Sequence, residues 1–506
     1  MKKLLFILAL IPSVVFSQKY DYVWVSGDNN NPNDTTKGGL IIDFNYTPPH
    51  KYYNYRELNM FVCNSSICDT AGNLMFYTNG CDIAGADDKI LENGETINPG
   101  YVHQLKCDQE MDGYTAGYQS TIILPVPDSN KLYYLFHKKI IYTSNPFGVK
   151  TDKLYYSIVD MNLNNGQGKV IAKNIELMND YLAYGEMTAV KHANGKDWWL
   201  VSPKDDSNTF YCFLFTKDGI VDTLVQTIGT APPVNASGGI QMVFSPDGTK
   251  MFRTNPQRAV KVYDFDRSNG YFTSYDSIEV DYKNYPDPVT TWCAVSPNGR
   301  YLYVTTSLYV FQFDLWSSNI SASQQVVAEW DGFKDPVGTT FGACQLGPDC
   351  KIYIVTIDSR YYHVINNPDE AGIACNVTQH SFILPTPSGA SMPIFPNYRL
   401  GPLDNPGVPC TATVSVNPGP ETRPGQVRVF PNPADDQVTF SWTEAIPGEK
   451  RLCLYNPLGQ TVRDTRSSVD GLAYILPLHD LCPGVYFWQI MNADGKRMEA
   501  GKMIKR

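Results

Sequence analysis

Three turns spaced 51 residues apart constrain this fold more than any other feature of the chain. Val243-Phe244-Ser245-Pro246-Asp247-Gly248 leads into Met251-Phe252, and Ala294-Val295-Ser296-Pro297-Asn298-Gly299 leads into Tyr301-Leu302-Tyr303-Val304. Gln345-Leu346-Gly347-Pro348-Asp349-Cys350 leads into Ile352-Tyr353-Ile354-Val355, and the turns open at 245, 296 and 347. Each unit is an apolar strand, a tight turn of Pro, Asp, Asn and Gly, and a second strand rich in Tyr, Leu and Val. Weaker copies lie upstream: Asp69–Asn73 before Leu74–Tyr77, Pro127–Asn130 before Leu132–Leu135, and Ala193–Lys196 before Trp198–Val201. A strand–turn–strand period of this length is the pattern of a β-propeller blade. Such a blade cannot bury its apolar faces alone and must stack on neighbours.

Third strands follow several units, as in Lys261–Asp266 and Tyr309–Asp314. Gly39–Asn45 has the look of such an outer strand without inner partners. The far end of the body, around Gly389–Ile394, is placed to supply them and to hide the ring's edges. Six turn units plus this joined blade favour seven blades, with six as the alternative. The 33 Tyr, 38 Gly and 35 Pro agree with an all-β chain.

The ends read differently. Residues 1–17, with Lys2-Lys3, an apolar run from Leu4 to Phe16 and small Ser17, have the form of a secretory signal peptide, and the run is too short to span a bilayer. Residues 18–402 would then be the propeller and the Pro/Gly/Thr-rich residues 403–424 a linker. Residues 425–506 would form a small Ig-like β-sandwich. Twelve cysteines in an exported chain suggest disulfides. Cys453 and Cys482 stand alone in the tail and are expected to pair. Cys63, Cys68, Cys81 and Cys107 crowd the first repeat, and Cys375 and Cys410 flank the end of the body.

The tail carries three motifs in order: Val429-Phe430-Pro431-Asn432-Pro433, Leu454-Tyr455-Asn456-Pro457-Leu458-Gly459-Gln460, and Leu481-Cys482-Pro483-Gly484-Val485-Tyr486-Phe487. A basic close, Lys502-Met503-Ile504-Lys505-Arg506, follows. This order resembles the type A C-terminal sorting domain of the Bacteroidetes type IX secretion system. The resemblance makes Pro431, Asn432, Pro433, Gly459, Gly484, Tyr486 and Lys505 sorting-motif residues. It implies export across the outer membrane with the secretion machinery as partner. It also implies removal of the tail on export. Residues 20–400 are similar to the propellers of Bacteroidetes PKD-containing or gliding-motility-like surface proteins. Gly72–Gly80, Leu154–Met161 and Met187–Leu200 carry that likeness, which departs in lacking PKD modules before the tail and implies no reaction.

The net charge is −10, yet the tail holds 10 Lys/Arg against 9 Asp/Glu, so the acidic excess sits in the body. An acidic body argues against nucleic acid as a partner. No run after the signal is apolar enough to cross a membrane. No nucleophile elbow, phosphate loop or HExxH pattern occurs, and no catalytic residue, cofactor or metal is assigned. Asp28–Asp34 is oxygen-rich enough to hold calcium but lacks the EF-hand glycine and closing Glu. His103 and Cys107 have metal spacing only on a helix. Adjacent carboxylates such as Asp205 and Asp206 point to opposite faces of a strand. Loops after each second strand and before each first strand share one ring face. They supply Lys138, Lys204, Arg258 and Arg360, with Glu186, as candidates to grip an extracellular glycan or protein. The reading is a binding or adhesion module at the cell surface or secreted. A polysaccharide lyase or hydrolase and a docking platform of a surface machine are the alternatives.

Overall fold

A computed structural model describes residues 18–27, 38–111, 113–144, 147–232, 241–255, 259–281, 291–390, 392–410, 427–442, 450–456, 460–467, 473–491 and 497–506. The signal segment, Asp28–Asp34, Arg258 and Gly459 lie outside the described residues. The chain divides into two compact units, 1–413 and 414–506.

The first unit holds seven antiparallel sheets among its described residues. Blade 1 is Val23–Ser26, Leu40–Asp43 and His50–Tyr53; blade 2 is Ser65–Cys68, Leu74–Thr78 and Ile83–Gly85. Blade 3 is Thr121–Pro125, Leu132–Ser144, Phe147–Asp160 and Lys169–Leu182, with three strands of 13 or 14 residues. Blades 4 to 7 begin at Thr188, Met242, Trp292 and Cys344, and each has four strands in sequence order. The predicted turns join the first two strands of blades 5, 6 and 7. Apolar clusters occupy the gaps between blades. Trp199, Met251 and Tyr263 fill one, Phe252, Cys293 and Leu302 another, and a cluster with Tyr301, Tyr353 and Trp24 runs through the two gaps from blade 6 by way of blade 7 to blade 1. Burying these faces against neighbours is what turns separate sheets into a ring.

Blade 1 runs out of phase with the rest. Its first strand begins at the turn face, where Cys68 N donates to Tyr20 O, and ends at the opposite, upper face, where Ser26 Oγ donates to Ser388 O. It therefore occupies the second-strand position. Residues 386–390 and 392–395 pass along its inner side, with Met392 fully buried and Phe395 packed on the Trp24 ring at 6.1 Å. The far end of the body does reach blade 1, but not as the paired inner strands its sequence suggests. It does so by packing, since the described residues there form no ladder. Leu40–Asp43 takes its paired partner from Val23–Ser26 instead.

The chain then crosses the turn face as a strap. Asn397 Nδ2 donates to Pro246 O, the Tyr398 hydroxyl donates to Ile123 O, and Arg267 binds Gly401 O. Arg399 and Asp21 form a buried ion pair, their side chains 6% and 7% exposed. Cys410 ends the strap in a disulfide to Cys350, and a second disulfide joins Cys81 to Cys107. Cys375 stays free.

The second unit is a two-sheet sandwich. One sheet is Val427–Phe430, Gln437–Trp442 and Ala473–Pro477. The other is Thr461–Ser467, Lys450–Tyr455, Gly484–Met491 and Arg497–Lys505. Val438, Phe440, Leu454, Leu476, Trp488 and Met503 fill its core. The expected Cys453–Cys482 disulfide is absent: both thiols are free, Cys453 buried and Cys482 exposed. Register explains it. Cys453 faces Gln489, five residues beyond Gly484 on the neighbouring strand. That is about 17 Å of strand, while a disulfide needs Cα atoms within about 7 Å.

Candidate binding face and sorting tail

The upper mouth of the ring's channel is bridged by side chains. The Gln119 amide of blade 3 pairs with both backbone groups of Met242 in blade 5, at 2.7 Å each way. Gln241 Nε2 donates to Cys344 O in blade 7 at 2.8 Å. Both glutamines are buried, and the Tyr118 and Trp292 rings meet edge-on at 6.1 Å. Below them a void of about 80 Å³ with a mixed polar and apolar lining remains, bounded by Val190, Phe244 and Phe395 together with Thr188, Gln345 and Asn397. The channel is bridged at its upper mouth, with a small cavity beneath.

Lys138 and Glu186 are brought together, but not as a ligand-binding pair. Lys138 Nζ donates to Ala183 O at 2.8 Å and to Glu186 O, while the Glu186 carboxylate takes Arg253 Nε at 2.6 Å. All three are buried, and burial brings Lys138 down to about 7. They tie blades 3, 4 and 5 and cannot touch a ligand on the face. The reason is strand alternation: Lys138 points inward, whereas its neighbour Lys139 points out to Asp152 at 2.9 Å. The partly exposed lysine is therefore one position beyond the one that spacing suggests, its side chain 16% exposed.

Lys204 is half-exposed and paired with Asp180 at 2.6 Å, and the Tyr211 hydroxyl shares that carboxylate. The lysine and the hydroxyl hold Asp180 below the usual carboxylate range despite the opposing effect of burial. Asp205 and Asp206 both reach Lys150. Arg360 is exposed, with Nε donating to Leu384 O at 3.2 Å. Cys107 is committed to Cys81, and His103 Nδ1 lies 2.8 Å from Ile97 O, which removes the metal reading of that pair. Among the described residues no group of three metal-ligating side chains forms.

In the tail, the first and last motifs meet. Asn432 Oδ1 accepts Ile504 N at 2.9 Å, and its Nδ2 donates to Lys502 O at 3.3 Å. Ala434 N donates to Ile504 O, and Arg506 N donates to Ala434 O. Pro431, Asn432 and Pro433 are exposed, whereas Lys505 is buried. Gly484 opens the strand that pairs with Lys505, and the Tyr486 hydroxyl donates to Cys482 O at 2.7 Å. The motifs that read as a linear label are thus the clamp on the terminal strand.

Among the described residues no helix is long and apolar enough to cross a membrane. No curated protein matches the chain. Solved structures similar to it include a functionally unknown protein from Desulfotomaculum acetoxidans, at 14% identity over 74% of this chain and 99% of that one, TM-score 0.39. PorZ of Porphyromonas gingivalis, described as an essential surface component of the type-IX secretion system, is 11% identical over 92% and 73%, TM-score 0.31. The Swd1 β-propeller domain of Myceliophteria thermophila is 11% identical over 68% and 94%, TM-score 0.37. Likenesses this distant carry no functional weight, and the ring is read from its own sheets. Residues 428–506 match the secretion system C-terminal sorting domain family. That stretch is therefore a type IX sorting domain, and the protein that carries it is exported across the outer membrane to the cell surface or beyond.

Proposed function

We propose that the propeller is a binding module that recognises an extracellular glycan or protein on its upper face. The observation that carries this reading is the state of four carboxylates around blades 3 to 5. Glu186, Asp180, Asp205 and Asp206 are each held by a cation. A hydrolase or lyase needs an acid–base pair converging on open space, and the upper mouth of the channel is bridged by Gln119 and Gln241. Lys204 and Arg360 remain the charged candidates for ligand contact. The bounds 18–402 and 403–424 for propeller and linker belong to the same proposal, with residues 403–410 held to the propeller by the strap and its disulfide.

The test is a glycan and surface-protein array probed with the exported chain, with released sugars measured on every hit. Binding without product is the expected result. Product release that disappears in Asp180→Asn or Asp205→Asn would replace the binding module with an enzyme.

A further inference from the structure

The chain between blades 2 and 3 departs from the repeat. Five non-glycine residues with positive φ fall between 88 and 111: Asp88, Asn93, Thr96, Asn98 and Met111. Left-handed backbone of this kind persists only where its surroundings enforce it, and it clusters at functional sites. Here the enforcement is visible. The Cys81–Cys107 disulfide ties the segment to blade 2. Asn98 N donates to Asn174 Oδ1, Asn98 Nδ2 donates to Gly80 O, and Asn98 Oδ1 lies 2.7 Å from His137 Nδ1.

This segment forms one wall of a groove of about 320 Å³, and the outer half of Leu132–Ser144 forms the other. Tyr101, 68% exposed, and Tyr142 flank it with rings edge-on at 6.3 Å. Tyr114 and Lys139 also line it. A β-bulge sits beside them: Lys139 pairs with Lys153 but Ile140 pairs with Thr151, so Asp152 is the extra residue. Bulges re-aim side chains next to sites, and this one brings the Asp152 carboxylate to Lys139 Nζ at 2.9 Å. Asp152 Oδ1 is buried and has no hydrogen-bond partner, so the pair is not a completed structural bridge.

We propose that this groove binds a neutral pyranose ring of an extracellular polysaccharide. The proposal rests on the binding reading above and gives it a ligand class. A pyranose has an apolar C–H face and a hydroxyl edge. The tyrosine rings offer an apolar surface for the first. Lys139 has three ammonium donors, one of which is used on Asp152, and so can serve the second. The Lys139–Asp152 pair carries no net charge, which favours a neutral sugar over a uronate or sulfate that would call for an unpaired cation. The volume lies within the range of about 300–1,000 Å³ usual for small-ligand sites.

The test is calorimetric titration of the full exported chain with dextran, mannan and a β-1,3-glucan, against polygalacturonate and heparin. Binding to at least one neutral polymer is expected. Tyr101→Ala weakens it at least about tenfold, Tyr101→Phe weakens it little, and Tyr271→Ala, an exposed tyrosine on blade 5, leaves it unchanged. Tyr101 is exposed, so the thermal midpoint of its variants should match the parent and exclude misfolding. A neutral polymer bound equally by Tyr101→Ala overturns the groove but leaves the binding module standing. Preference for polygalacturonate or heparin overturns the neutral-sugar assignment. Silence on all five polymers overturns the saccharide proposal, and capture of a surface protein in the array above would then show the binding module surviving without it.

Discussion

Blades 5 to 7 and blades 1 to 3 divide the ring into a regular half and an irregular one. In the regular half, three turns repeat at 51 residues and every sheet has four strands in order. In the irregular half, two blades have three strands, blade 1 is out of phase, and blade 3 sends long strands past its neighbours. The left-handed residues from Asp88 to Met111, one disulfide and the tyrosine-lined groove also lie there. Repetition supplies a scaffold whose blades are interchangeable in role. Departures from it are where side chains are aimed at something.

A telling break in the regular half is Cys350. It stands where the other two turns carry Gly248 and Gly299, and its φ of 64° is as left-handed as theirs. A non-glycine residue there costs about 1–2 kcal/mol, and the bond to Cys410 at the end of the strap accounts for its presence. Closing a loop of 60 residues is worth about 4 kcal/mol in the chain-entropy model. Cys410→Ser should therefore have the largest effect on stability, a loss of about 4 kcal/mol in denaturant titration. Cys350→Gly should lose about 1 kcal/mol less than Cys350→Ser, because glycine relieves the turn. Equal losses would separate the turn from the strap and break the comparison.

Next in size is the buried link between the halves. Arg253 on blade 5 binds Glu186 at the start of blade 4, whose carbonyl holds Lys138 of blade 3. Removing one partner of a buried pair leaves an uncompensated charge and costs about 3–5 kcal/mol. Arg253→Met should fall near the lower end, since Lys138 remains close to Glu186. A loss below about 1 kcal/mol would mean that the two halves are not coupled through this cluster.

Acid should act on both halves. Burial pushes the His137 imidazole of blade 3 down to about 3 and that of His363 in blade 7 down to about 4. The unfolded chain titrates near the ordinary histidine value of about 6.5. Between these values the unfolded state binds more protons, so stability rises with pH across the window and is lost as pH falls. At pH 5 each histidine should cost about 2 kcal/mol relative to neutral pH. Replacing either by Gln should flatten the stability slope between pH 4.5 and 6.5 by about one proton. A slope unchanged in both variants would assign the acid sensitivity to carboxylates.

The sequence made the regular half readable because turn chemistry is local: Pro, Asp and Gly at fixed offsets act without knowledge of the rest of the chain. The tail was readable for the same reason, as Pro431, Asn432 and Gly484 mark turns and strand starts. What was hidden depends on contacts distant in sequence. Lys138 and Lys139 look equivalent until the bulge at Asp152 and the packing of blade 4 decide which faces inward. Cys453 and Cys482 look like a pair until register separates them. Cys350 was the exception that local reasoning could have caught, since a cysteine in a glycine position of a repeat asks for a covalent explanation.

The smallest effect gives the sharpest control on the repeat itself. Gly248 and Gly299 have nearly the same φ, 73° and 74°, but different surroundings. A Cβ at 299 would meet nothing nearer than Pro246 Cδ at 4.0 Å, so Gly299→Ala should cost only the left-handed penalty, about 1–2 kcal/mol. A Cβ at 248 would lie 2.6 Å from Val190 Cγ2 and 2.8 Å from Leu400 Cδ2, on blade 4 and the strap. Gly248→Ala should therefore cost more than Gly299→Ala by about 1–3 kcal/mol of overpacking. Equal costs in thermal denaturation would mean that the strap yields readily at Leu400. It would then be held by its disulfide and ion pair more than by packing.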